Sequence, residues 1–224
     1  MVQCRGPLDL ARQVQVPIHG MDDSTFIARA VIGVGLLAIL VLREHLGDSA
    51  DRRRLKEYGF LFSSAGLGIA YAIVHDVFTY RLSREYFTVG KGLSGAADGF
   101  WPQVAWLAAR AGWSGGLVVG VGLLLANNPH PQLRQLPYAQ LWRALCWPLA
   151  IMPLTATTLG LLGPVVLPSL VGASTLAHLG VADPSVFLRV WGIHVGTYLG
   201  AAAGLAAAAL TVRGQRKVVL AGVC

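Results

Sequence analysis

Apolar residues in this chain fall into five long runs, separated by short joints that hold most of the charged side chains. The runs are Ser24 to Leu42, Phe60 to about Tyr80, about Val104 to Ala126, about Leu141 to Leu162, and about Val186 to Val212. A helix needs roughly 20 residues to cross the hydrocarbon core of a bilayer, and each run is near that length. The pattern therefore predicts an all-α, polytopic integral membrane helix bundle of about five transmembrane helices, with helices two to five as its core and helix one peripheral. Asp23 or Ser24 can cap the first helix. The fourth run carries Pro148, Pro153, Pro164 and Pro168, which predicts a kinked helix followed by a re-entrant or surface stretch, GPVVLPSLVGAS. Residues 1–23 read as an N-terminal tail with Met21 as an alternative start, 24–217 as the transmembrane domain, and 218–224 as a C-terminal tail.

Composition agrees with the pattern. Hydrophobic residues make up 54% of the chain and charged residues only 13%, a balance that places it among membrane proteins. The net charge of +7 would raise nucleic acid as a partner for a soluble protein. Here the basic residues mark orientation instead, and the expected partner is the lipid bilayer. Of the Lys and Arg residues in the joints and tails, ten (Arg43 to Lys56, Arg134, Arg143, Arg213, Arg216, Lys217) fall on one side and five (Arg5, Arg12, Arg81, Arg84, Lys91) on the other. The positive-inside rule then puts the N-terminus outside and the C-terminus in the cytoplasm. Cys4, Cys146 and Cys224 are isolated and suggest neither a disulfide framework nor a metal clip.

Two polar stripes interrupt the apolar runs. At about 100° per residue, Ser64, Gly68, Ala72, His75 and Thr79 share a face of the second helix with Asp76 beside them. Phe187, Trp191, His194 and Tyr198 share a face of the fifth, about opposite a glycine register of Gly192, Gly196, Gly200 and Gly204. Gly112, Gly116 and Gly120 repeat that register in the third helix. Small residues four apart let membrane helices approach closely. An ionisable side chain within a span costs about 2.5–3.5 kcal/mol on insertion scales, so it needs a partner and a purpose. His75 and His194 both lie in the outer half of their helices and can meet, with Glu85 and Tyr86 folding back over them.

Three readings of this cluster stay open. It can be a hydrogen-bonded and ion-paired plug. It can be a site for a transition metal, Zn, Fe or Cu, held by His75, Asp76, Glu85 and His194 with Tyr198 or Thr79 behind them. It can be part of a carrier, with a proton or solute path. The glycine registers leave room for an assembly subunit that binds another membrane protein or a second copy of itself. No phosphate loop, catalytic triad or cofactor fingerprint appears; an activity is left open, since a His/carboxylate/Tyr cluster can support metal-assisted redox chemistry.

The string YAIVHDVFTYRLSREYFTVGKG, with WGIHVGTYLG much later, resembles an uncharacterised group of small bacterial polytopic membrane proteins. Their pattern reads H-D-x-x-T-x-R-x-x-x-E-Y-F-T-x-G-H, with a His and, four residues later, a Tyr in the last helix. His75, Asp76, Thr79, Arg81, Glu85, Tyr86, Phe87, Thr88, Gly90, His194 and Tyr198 match it, over roughly residues 57 to 217. The resemblance implies a bacterial inner-membrane location and no particular activity. Where the pattern has a second histidine, this chain has Lys91, so a ligand that histidine supplied would be missing here.

Overall fold

The computed structural model describes residues 23–47, 53–93, 100–130, 132–171 and 173–221, so Cys4, Met21 and Cys224 lie outside the described residues. The architecture is all-α and polytopic: five helical segments, Asp23–Leu46, Arg53–Leu82, Phe100–Ala126, Tyr138–Leu170 and Pro184–Arg216, are long and apolar enough to cross a membrane. The chain divides into two units, residues 1–52 and 53–224. The first holds α1 (Asp23–Leu46), with Asp23 in its first turn and Arg43 and His45 in its last, the charge order that the helix dipole favours.

The second unit contains α2 (Arg53–Leu82), a π-helical turn (Tyr86–Gly90), α3 (Phe100–Ala126), α4 (Tyr138–Ala144), α5 (Cys146–Val171), α6 (Ala173–His178) and α7 (Pro184–Ala221). Its helices pack chiefly as two pairs, α2 with α3 and α5 with α7. Within each pair the backbones nearly touch. A Cβ added at Gly112 would run into the backbone of Gly68 and Ile69, and one at Gly116 into Ser64 and Ala65. Across the other pair, Gly192, Gly196, Gly200 and Gly204 lie against Leu159, Thr155 with Ala156, Met152 and Pro148. The Thr155 hydroxyl also reaches the Gly196 carbonyl at 2.7 Å. Dispersion at such close range is a main force between helices in lipid, where hydrophobic drive is lacking.

The proline-rich stretch departs from expectation. In place of a re-entrant or surface segment, α5 runs unbroken through Pro153, Pro164 and Pro168 to Val171. Each proline forfeits one backbone bond, whereas unwinding within the bilayer would expose many more polar groups to hydrocarbon. Pro148 sits in the first turn, where its missing N–H costs nothing. Val165 and Leu170, 77% and 75% exposed, present this stretch to lipid.

Apolar clusters close both ends of the bundle. Phe60, Leu123, Leu141 and Val212 belong to one, and Phe87, Phe100, Val104, Phe187 and Val190 to the other. Near the first, the Arg216 guanidinium donates to the carbonyls of Ala126 (2.7 Å) and Asn128 (2.6 Å), capping the end of α3. This buried arginine is thus a structural clamp as well as a charge at the end of a span.

Candidate functional site

The polar site sits beneath the second apolar cluster, where α2, α7 and the π-helical turn converge. His75, Asp76 and His194 each offer a ligand atom, all within 4.8 Å of one another. Asp76 and His194 are 8% and 6% exposed, so little water screens them.

The hydrogen-bond network assigns the protons. His194 Nδ1 is 3.0 Å from the Val190 carbonyl, which can only accept, so a neutral His194 carries its proton on Nδ1 and presents a bare lone pair at Nε2. That Nε2 is buried and without a hydrogen-bond partner. It lies 3.3 Å from Asp76 Oδ1, close enough for an ion pair if the imidazole is protonated but with poor hydrogen-bond alignment. Two acceptors facing each other at this range repel, and a cation between them, a proton or a metal ion, removes the repulsion. On the other imidazole, Thr197 Oγ1 donates to the Ile193 carbonyl at 3.1 Å and stands 3.3 Å from His75 Nε2. With that hydrogen on Ile193, Thr197 accepts from Nε2–H and Nδ1 is the basic nitrogen of His75; with the hydrogen turned to Nε2, the two ring nitrogens exchange roles.

Aromatic rings roof the cluster. The rings of His75 and His194 are 4.7 Å apart, Tyr86 stacks on His194 at 4.5 Å, and Phe87 meets His194 at 5.9 Å. The turn that carries Tyr86 and Phe87 is anchored by Ser83, whose Oγ accepts the Tyr86 N–H at 3.2 Å. Burial pushes the Tyr86 hydroxyl well above the usual phenol range, and Tyr198 and Asp76 add to the shift. Burial lowers the Lys91 ammonium, against an opposing pull from Asp76. Lys91 lies over the Tyr86 ring, 5.5 Å from its centroid.

The remaining candidates take other places. Glu85 is not among the three clustered ligands: its carboxylate accepts the backbone N–H groups of Ala182 (2.6 Å) and Asp183 (3.2 Å) just before α7. Thr79 is fully buried, but its hydroxyl is spent on the His75 carbonyl of its own helix at 3.0 Å. Tyr198 is 57% exposed and lines a neighbouring cavity. Thr197 and Tyr71 were not singled out by sequence. Thr197 was within reach of the helical argument, three residues after His194 on nearly the same face; Tyr71, four residues before His75, was too.

Fold and site together define a class: an all-helical polytopic membrane bundle with a His/Asp/His group, buried at Asp76 and His194 and half-buried at His75, under an aromatic roof. Comparison with protein-family models, curated proteins and solved structures finds no match.

Proposed function

We propose that this protein is an integral membrane metal-binding protein that holds one transition-metal ion, Zn, Fe or Cu, at His75, Asp76 and His194. The observation that carries this reading is the buried Nε2 of His194, which has no hydrogen-bond partner and lies 3.3 Å from the Asp76 carboxylate. Its other nitrogen donates to a backbone carbonyl, the usual way a ligating imidazole is oriented. Tetrahedral ligands at 2.0–2.2 Å from zinc stand roughly 3.3–3.6 Å apart. The His194–Asp76 edge, at 3.3 Å, is already within that range. The donor set of two nitrogens and one oxygen suits Zn, Fe or Cu, and leaves a coordination position for an exogenous ligand.

The test is elemental analysis of protein purified in detergent and offered each metal. About one ion per chain is expected, with His194→Ala and Asp76→Asn each lowering occupancy by about tenfold or more. Wild-type protein that stays metal-free after loading would sink the reading. The same 3.3 Å contact favours a second reading, a proton held between Nε2 and Oδ1 on a conduction path. That reading requires metal-free protein and proton flux into vesicles that Asp76→Asn abolishes.

We place the N-terminus outside and the C-terminus in the cytoplasm of a bacterial inner membrane, on the distribution of Lys and Arg and on the resemblance to the small bacterial membrane proteins. The site then lies near the outer face. The glycine registers serve packing within the chain: Gly112, Gly116 and Gly120 abut α2, and Gly192, Gly196, Gly200 and Gly204 abut α5. Their faces are occupied, which removes the reason for reading them as a surface for another membrane protein.

A further inference from the structure

A cavity of about 170 Å³ adjoins the metal-ligand cluster and extends between the two helix pairs. His75, Asp76, His194 and Lys91 line one end, and Ser64, Leu145 and Pro148 line the other. Ser64 and His75 are eleven residues apart on α2, so the space is roughly 16 Å long. Between its ends the wall is apolar: Leu67, Leu107, Val119, Leu149 and Met152. Apolar space of this size stays dry and takes an apolar guest, which disfavours a path for hydrophilic solutes. Ala111 and Gly115 in the wall are exposed and belong to a membrane-spanning segment, so the cavity is accessible at bilayer depth.

The polar end has a definite charge character. Asp76 lies 3.3 Å from His194 Nε2, and its charge also reaches Lys91. Lys91 is the cation of the lining, is half-buried, and has no carboxylate within ion-pair distance among the described residues. The same lining holds His194, whose buried Nε2 is the atom without a hydrogen-bond partner. A slender dry slot with a cation and a metal-ligand cluster at one end complements a molecule that has an anionic oxygen head and one apolar chain of about eight carbons.

We infer that the cavity binds a medium-chain carboxylate of about eight carbons, the size that about 170 Å³ admits, with its head at Lys91 and the His75–Asp76–His194 cluster and its chain running along α2 toward Ser64. This deepens the proposed metal site, since the carboxylate would take the coordination position that the three protein ligands leave, and it rests on that reading for this part of the recognition. Lys91 supplies the rest. The departure from the resembled pattern at position 91 thus becomes a ligand-selecting feature of this chain.

The experiment is photo-crosslinking of full-length protein in phosphatidylcholine vesicles with octanoate carrying a mid-chain diazirine, followed by peptide mapping. Label is expected on the wall residues Leu107, Ala111, Val119, Leu149 and Met152. Excess octanoate should compete and octanol should not, and Lys91→Gln should reduce labelling by about tenfold. Ala72→Phe, which fills the slot from α2, should abolish it; circular dichroism and gel filtration establish that both variants fold. Label confined to lipid-facing positions such as Val118 and Leu154, or equal competition by octanol, overturns the inference. Metal content measured on the same samples separates the two claims. Metal-loaded protein without wall labelling defeats the carboxylate site alone, and wall labelling that depends on Lys91 in metal-free protein defeats the metal site alone.

Discussion

Glu85 stands immediately before the π-helical turn, and its two carboxylate oxygens hold the N–H groups of Ala182 and Asp183, the residues that lead into α7. It ties the far end of α2 to the start of α7, the two helices that supply the ligand cluster. A charge-assisted hydrogen bond is worth about 1.5–3 kcal/mol when buried, and the exposure of this pair reduces that to about 1 kcal/mol. Glu85→Gln should therefore lower the thermal midpoint in detergent by a few degrees while leaving metal content intact. A loss of metal with unchanged stability would instead make Glu85 a ligand. Residue types alone suggested Glu85 as a ligand because a carboxylate near two histidines has the right chemistry. Its two partners lie 97 and 98 residues away in sequence, and no local pattern announces a backbone N–H as a competitor. His75, Asp76 and His194 were legible for a different reason: in a span, each ionisable group is an exception that demands a partner.

At the scale of the helix, neighbouring glycines differ sharply. A Cβ at Gly116 would strike the backbone of Ser64 and Ala65, whereas one at Gly115 meets nothing within 4 Å. Gly116→Ala should force α2 and α3 apart and lower the thermal midpoint. Gly115→Ala should leave it unchanged or raise it, since alanine in an open helical position is favoured by about 0.5–1 kcal/mol. In α7, Gly196→Leu and Gly200→Leu should be far more damaging than Ala206→Leu, which is exposed. Unfolding curves for the five variants check this, and equal tolerance at all positions would mean the helices pack elsewhere. The register of the glycines could be read from spacing, because small residues four apart mark one face. Which helix meets that face could not. The continuity of α5 was likewise hidden: proline breaks helices in water, where water bonds the released groups, and that rule fails in hydrocarbon.

For the whole molecule, the asymmetry of Lys and Arg leads to a measurable orientation. Reporter fusions after Lys56 and after Lys217 should both give cytoplasmic signals, and a periplasmic signal from either would reverse the placement of the site. Sequence alone determined the class of architecture and the number of spans, and it named His75, Asp76 and His194 as candidate ligands together with Glu85. These follow from hydropathy, helical period and the cost of burying charge, each a property of a short segment. Tertiary structure decided the pairing of α2 with α3 and of α5 with α7, the diversion of Glu85 to a backbone lock, and the dry slot ending at Lys91. Those features are made by surfaces from distant segments closing on one another, and the shape of the space left between them is written in no single segment.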